Sequence, residues 1–121
     1  MIQALVVDDV RQMVDSLCRM LALLNVSAVP AYGARAAIEI LNENTPDVVF
    51  MDLNMPGLGG MDVIRYMQRE PRLAAVPVIV VTSDDQPLTA QRTQALGVRA
   101  LLVKPVQVDS IEAALKKIGL L

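Results

Sequence analysis

Apolar residues along the chain gather into five short runs: Ala4 to Val7, Ser27 to Pro30, Asp47 to Met51, Val76 to Val81 and Ala100 to Val103. Runs such as Val48-Val49-Phe50-Met51 and Val78-Ile79-Val80-Val81 lack the polar alternation of a strand with one wet face, so they predict strands covered on both sides. Between the runs the spacing changes to three- and four-residue steps, the period of an amphipathic helix. Val10, Val14, Leu17, Cys18, Leu21 and Leu24 mark the first helix, with Asp9 as its expected N-cap. The second is expected over about Ala34 to Asn42, burying Ala37, Ile38 and Leu41 ahead of Pro46. The third, about Gly60 to Gln68, places Met61, Ile64 and Met67 on one face and is closed by Pro71. The fourth starts near Pro87 behind Asp84 and Asp85 and ends with Gly97 at C′. The fifth starts after Asp109, turns Ile111, Leu115 and Ile118 inward, sets Lys116 and Lys117 against its negative end, and is expected to run to the C-terminus.

Strand and helix thus alternate five times, which predicts a three-layer α/β sandwich: a doubly wound (βα)5 fold on a parallel sheet. At 121 residues, with no linker or low-complexity tract, the expectation is a single domain spanning 1–121 with no output domain. One Phe, two Tyr and no Trp make the core aliphatic and exclude an aromatic stacking surface for RNA or sugars. Eleven basic against thirteen acidic residues leave a net charge of −2, and the basic ones are scattered from Arg11 to Lys117, so no nucleic-acid partner is expected. The longest apolar run, Leu73 to Val81, is far short of the ~18 residues that span a bilayer, so no membrane partner is expected either. The lone Cys18 lies in an apolar-periodic stretch and reads as a small buried hydrophobe, which fits a reducing cytoplasm. With no histidine in the chain, a Ser-His-Asp triad, a Cys-His dyad and a His-ligated zinc site are excluded.

In an open parallel sheet, ligands bind beyond the carboxyl ends of the strands. The first strand ends in Asp8-Asp9, the third in Asp52, the fourth in Thr82-Ser83 and the fifth in Lys104-Pro105, so these groups should converge. Taken singly each has an ordinary reading: Asp9 as a helix cap, Thr82 as strand-end punctuation, Lys104 as a solvated loop charge. Together they do not. Carboxylates gathered there repel by roughly 4 kcal/mol per close pair at an effective dielectric near 20. A hard divalent cation such as Mg²⁺ is the simplest compensation. Cation, ammonium and hydroxyl are what a transferring phosphoryl group needs, and an aspartate can be the nucleophile that accepts it.

Four separated segments then carry a resemblance: Val7-Asp8-Asp9; Met51-Asp52-Leu53-Asn54-Met55-Pro56-Gly57 with Gly60; Val81-Thr82-Ser83; and Val103-Lys104-Pro105. In this order and spacing, over nearly the whole chain, the sequence resembles the receiver domains of two-component response regulators. The resemblance implies the flavodoxin-like, CheY-like strand order 2-1-3-4-5. It implies that Asp52 is the phosphoacceptor, charged from a phosphohistidine on a histidine kinase or a histidine phosphotransfer protein. Mg²⁺ would be held by Asp9 directly, by Asp8 through water, by Asp52, and by the backbone carbonyl of Asn54. Thr82 is implied as the hydroxyl that turns toward the phosphoryl group, Lys104 as its ion-pair partner, and Ser83 as the small residue that leaves its N–H accessible. The bond before Pro105 is implied to be cis.

The family couples the threonine to an aromatic residue on the fifth strand, and here Leu101 holds that position, so the switch pair is Thr82 with a residue that has no hydrogen-bonding group. Asn54 and Asp84 resemble the two positions that set the rate of acyl-phosphate hydrolysis. Output is expected through protein contact on the fourth helix, fifth strand and fifth helix, including Gln91, Arg92, Gln94, Arg99 and Lys117, with the kinase docking near Arg11, Gln12 and Asp15. The expected role is a phosphoacceptor switch with self-catalysed phosphotransfer and slow autodephosphorylation, not an enzyme. Two alternatives stand beside it. A small Mg²⁺-dependent phosphohydrolase is weakened by Asn54, which stands where a second acid would be needed; a phosphorylation-independent scaffold is weakened by the intact acids, threonine and lysine.

Overall fold

The computed structural model describes residues 1–55 and 57–121; Pro56 of the third strand-end motif lies outside the described residues. Strands β1 (Gln3–Val7), β2 (Ser27–Ala31), β3 (Val48–Met51), β4 (Val78–Thr82) and β5 (Ala100–Val103) alternate with helices α1 (Arg11–Leu23), α2 (Ala34–Glu43), α3 (Gly60–Arg69), α4 (Pro87–Ala95) and α5 (Val108–Lys117). All strand pairs are parallel, in the order β2-β1-β3-β4-β5. The doubly wound fold expected from the alternation is the fold observed.

Because successive strand residues face opposite sides, each central strand feeds two cores. Leu5, Val7, Val49, Met51, Val78 and Val80 face α2 and α3, where Ala37, Leu41, Val63, Ile64 and Met67 are buried. Ala4, Val6, Val48, Phe50, Ile79 and Val81 face α1 and α5, meeting Val14, Leu17, Leu21, Ile111 and Leu115. β3 and β4 are buried along their whole length and β1 everywhere but Gln3, whereas the edge strand β2 is largely exposed and carries Pro30. A proline is tolerated at a sheet edge because it breaks no ladder on the open side.

The structure corrects several sequence expectations. The N-cap of α1 is Val10 and not Asp9, with no side-chain cap; it is the Asp8 carboxylate that accepts the Val10 N–H, at 3.0 Å. β4 begins at Val78, since Val76 is used in a turn that donates its N–H to the Leu73 carbonyl. The inner face of α3 carries Val63 with Ile64 and Met67, while Met61 is only partly buried. α5 starts at Val108 and stops at Lys117, ahead of Gly119 with φ +84°, so it does not continue to the last residue. Gly97 does sit at C′ of α4, with φ +80°. Among the described residues no helix is long and apolar enough to cross a membrane.

Candidate functional site

The strand order reverses at β1, which lies between β2 and β3, so a crevice opens at the carboxyl ends of β1 and β3. Val7 is in register with Met51, and the Asp52 N–H bonds to the Val7 carbonyl at 3.0 Å, which sets Asp8 and Asp52 side by side. Carboxylate oxygens of Asp8, Asp9 and Asp52 all lie within 4.8 Å of one another. Asp8 and Asp52 are buried, whereas Asp9 is exposed. From the neighbouring strands, Thr82 pairs with Val103 and the Lys104 N–H bonds to the Thr82 carbonyl at 2.8 Å, which brings the lysine to the same edge. The Lys104–Pro105 peptide bond is cis.

The Lys104 ammonium lies 2.9 Å from Asp8 and 3.6 Å from Asp52, so its primary partner here is Asp8. Asp52 is left undercompensated. Burial, and then the Asp8 charge, push its carboxyl up to about 6, against the opposing pull of Lys104 and of the Asn54 backbone N–H. Three hard carboxylate oxygens facing one ammonium are the donor set that a small divalent cation satisfies, so the residues present fit Mg²⁺.

Thr82 is fully buried, and its hydroxyl oxygen accepts the Asp84 backbone N–H at 3.2 Å and the Asn54 side-chain amide at 3.4 Å. Ser83 and Asn54 are exposed at the rim. Leu101 is half-buried in the core on the α2–α3 side of the sheet. Gly60 allows α3 to start hard against the Asp52-Leu53 backbone, since a Cβ there would clash with the Asp52 carbonyl oxygen.

Beyond the acids, a cavity of about 190 Å³ runs between α1 and the β5–α5 connection. Asp8, Asp52 and Lys104 line it together with Met13, Met20 and Val106. The strand-end motifs alone do not reveal this apolar side of the site, because it depends on how α1 packs. The sequence pattern also gives no sign of Thr89, whose hydroxyl donates to the Asp84 carboxylate ahead of α4.

The residues expected at the two docking surfaces are exposed, Gln91, Arg92, Gln94, Arg99 and Lys117 on one and Arg11, Gln12 and Asp15 on the other. On the second surface, Tyr32 ties two of them together: the Arg11 guanidinium lies 4.1 Å from the ring centroid and the Tyr32 hydroxyl donates to Asp15 at 2.8 Å.

Comparison with known proteins agrees with this architecture. The sequence profile described as "Response regulator receiver domain" matches residues 4–116. Protein PilH of Pseudomonas aeruginosa is 32% identical, over 92% of this chain and 92% of its own length. Chemotaxis protein CheY of the same organism is 31% identical, over 94% of this chain and 93% of its own. A solved response regulator receiver protein from Pseudomonas putida is 32% identical with a TM-score of 0.87, covering 96% of each chain. Chemotaxis protein CheY4 of Vibrio cholerae superposes with a TM-score of 0.91 over 98% of each chain at 23% identity, a likeness of fold alone. A match that extends from the first strand into the last helix makes this chain a member of the response regulator receiver domain family.

Proposed function

We propose that the domain is a phosphorylation-controlled binding switch in which Asp52 accepts a phosphoryl group from a phosphohistidine on a histidine kinase or phosphotransfer protein. The observation that carries this reading is the buried, undercompensated Asp52 carboxylate beside Asp8 and Asp9 at the switch point of the sheet. A carboxylate oxygen of Asp52 attacks phosphorus, the P–N bond to the imidazole breaks, and the nitrogen keeps the electron pair. Asp8, Asp9, Asp52 and the Asn54 carbonyl would hold Mg²⁺, which when bound neutralises charge on the phosphoryl oxygens. Lys104 exchanges its carboxylate partner for a phosphoryl oxygen, the Thr82 hydroxyl donates to another, and the backbone N–H of the exposed Ser83 donates to a third.

Such a domain performs one transfer and then signals, with hydrolysis of its own acyl phosphate as the reset. The exposed residues of α4, β5 and α5 are the proposed target surface, and those around Arg11 the proposed kinase surface. Intact mass after incubation with acetyl phosphate tests the reading. One phosphoryl group is expected on the wild type, only with Mg²⁺ present, and none on Asp52→Asn. Absence of both an adduct and beryllofluoride binding in a folded, Mg²⁺-loaded sample would overturn it.

A further inference from the structure

A chain of hydrogen bonds leaves the site toward α4 without passing through β5. Thr82 Oγ1 accepts the Asp84 N–H at 3.2 Å. The Asp84 carboxylate is engaged in the opposite direction, with Oδ1 accepting the Gln86 N–H at 2.9 Å and Oδ2 accepting the Thr89 hydroxyl at 2.6 Å. Those two donors hold the Asp84 carboxyl below the usual carboxylate range, Thr89 being the stronger cause. Gln86 is the N-cap of α4 and makes no side-chain cap of its own, so Asp84 supplies the acceptors at this helix start.

The helix on the far side of these bonds is weakly anchored. Thr93 is the one buried residue of α4, and Leu88 on its first turn is 54% exposed. On β5 the residue in register with Val80 is Leu101, which has no polar side-chain atom with which to follow a moving hydroxyl. The polar connection from the Thr82 hydroxyl to α4 therefore runs through Asp84, while the Asn54 amide on the same hydroxyl leads to the β3–α3 side.

We propose that Thr89 is the positioning residue that, through its hydrogen bond to Asp84, latches the segment between β4 and α4 in its resting arrangement. The inference rests on the reading of Asp52 as phosphoacceptor and of Thr82 as the hydroxyl that turns toward it. When Thr82 turns, its oxygen leaves the Asp84 N–H, and the segment from Asp84 to Thr89 shifts to give that donor a new partner. The Asp84–Thr89 bond opposes the shift. By linkage, whatever opposes the active arrangement weakens binding of any ligand that favours it, and removing the opposition strengthens that binding by the same factor.

Beryllofluoride with Mg²⁺, a stand-in for the phosphoryl group, provides the test. It is titrated into wild type, Thr89→Val, Thr89→Ala and Thr89→Ser while backbone amide resonances are followed. Loss of one hydrogen bond to a carboxylate predicts about tenfold tighter binding in Thr89→Val and Thr89→Ala. In both, the amides of Gln86 through Ala90 should already be displaced before ligand is added. Thr89→Ser, which restores the hydroxyl, should return affinity and spectrum to those of the wild type. Equal or weaker binding in Thr89→Val and Thr89→Ala, or a Thr89→Ser variant that behaves like them, would overturn the latch while leaving the receiver reading intact. A wild type that binds no beryllofluoride with Mg²⁺ present would overturn both.

Discussion

Burying a carboxylate leaves its mark on the titration of Asp52. With its carboxyl raised from 3.8 to about 6, chiefly by burial and then by the Asp8 charge, the folded chain binds a proton that the unfolded chain has already released. Stability therefore falls as pH rises from about 4 to 6 and stays low above that window. At about 1.4 kcal/mol per unit, the loss reaches at most about 3 kcal/mol. In metal-free buffer Asp52→Asn should lack this slope and be more stable than wild type at pH 7. Urea unfolding at pH 4.5 and pH 7 measures it, and parallel behaviour of the two proteins would contradict the assignment. Gly60 answers to sterics instead. With a Cβ placed against the Asp52 carbonyl oxygen, Gly60→Ala must displace either α3 or the acceptor segment. The expected loss is about 1–3 kcal/mol, with slower phosphorylation by acetyl phosphate. Wild-type stability in that variant would show that the approach is looser than the geometry implies.

Elements of this fold are held at their ends by side chains from elsewhere in the chain, and these contacts were the least legible in the sequence. Arg72, from the α3–β4 connection, donates to the carbonyl of Leu41, to the carbonyl of Asn44 at 2.9 Å and to the Thr45 hydroxyl at 2.7 Å, closing the C-terminal end of α2. Arg72→Ala should cost about 1–2 kcal/mol. Arg72→Lys should recover only part of it, since an ammonium cannot reproduce the fork; equal urea midpoints for wild type and Arg72→Ala would refute the clamp. Strands β3 and β4 were legible because burial on both faces writes an unbroken apolar run. The boundaries were not. Asp8 and Asp9 compete for the start of α1, and the geometry of the β1–α1 turn, invisible in a residue pattern, gives the Val10 N–H to Asp8. Met61 and Val63 both fit the α3 periodicity, and it is Val63 that the helix buries with Ile64 and Met67. The acids, threonine and lysine could be listed from strand ends because parallel strands share one carboxyl edge. The Thr82–Asp84–Thr89 chain depends on the path of a loop, which no periodicity encodes.

Over the whole molecule the net charge is only −2, yet one edge of the sheet concentrates three carboxylates against one ammonium. The electrostatic cost of gathering these acids falls on the folded state, where alone the β1 end and the β3 end meet. A ligand that binds only the assembled edge returns that stability, because the Asp8-Asp9 pair and Asp52 come from two segments that are apart in the unfolded chain. At ten times its dissociation constant, Mg²⁺ should add about 1.4 kcal/mol, which for a domain of this size raises the melting temperature by about 5 °C. Asp9→Asn, which removes an exposed carboxylate and leaves the Lys104–Asp8 pair in place, should lose most of the shift while remaining folded. Thermal melts with MgCl₂ and with NaCl of matched ionic strength separate site binding from screening. If NaCl raised the melting point as much as MgCl₂ did, the three carboxylates would be a repulsive patch relieved by salt and not a metal centre.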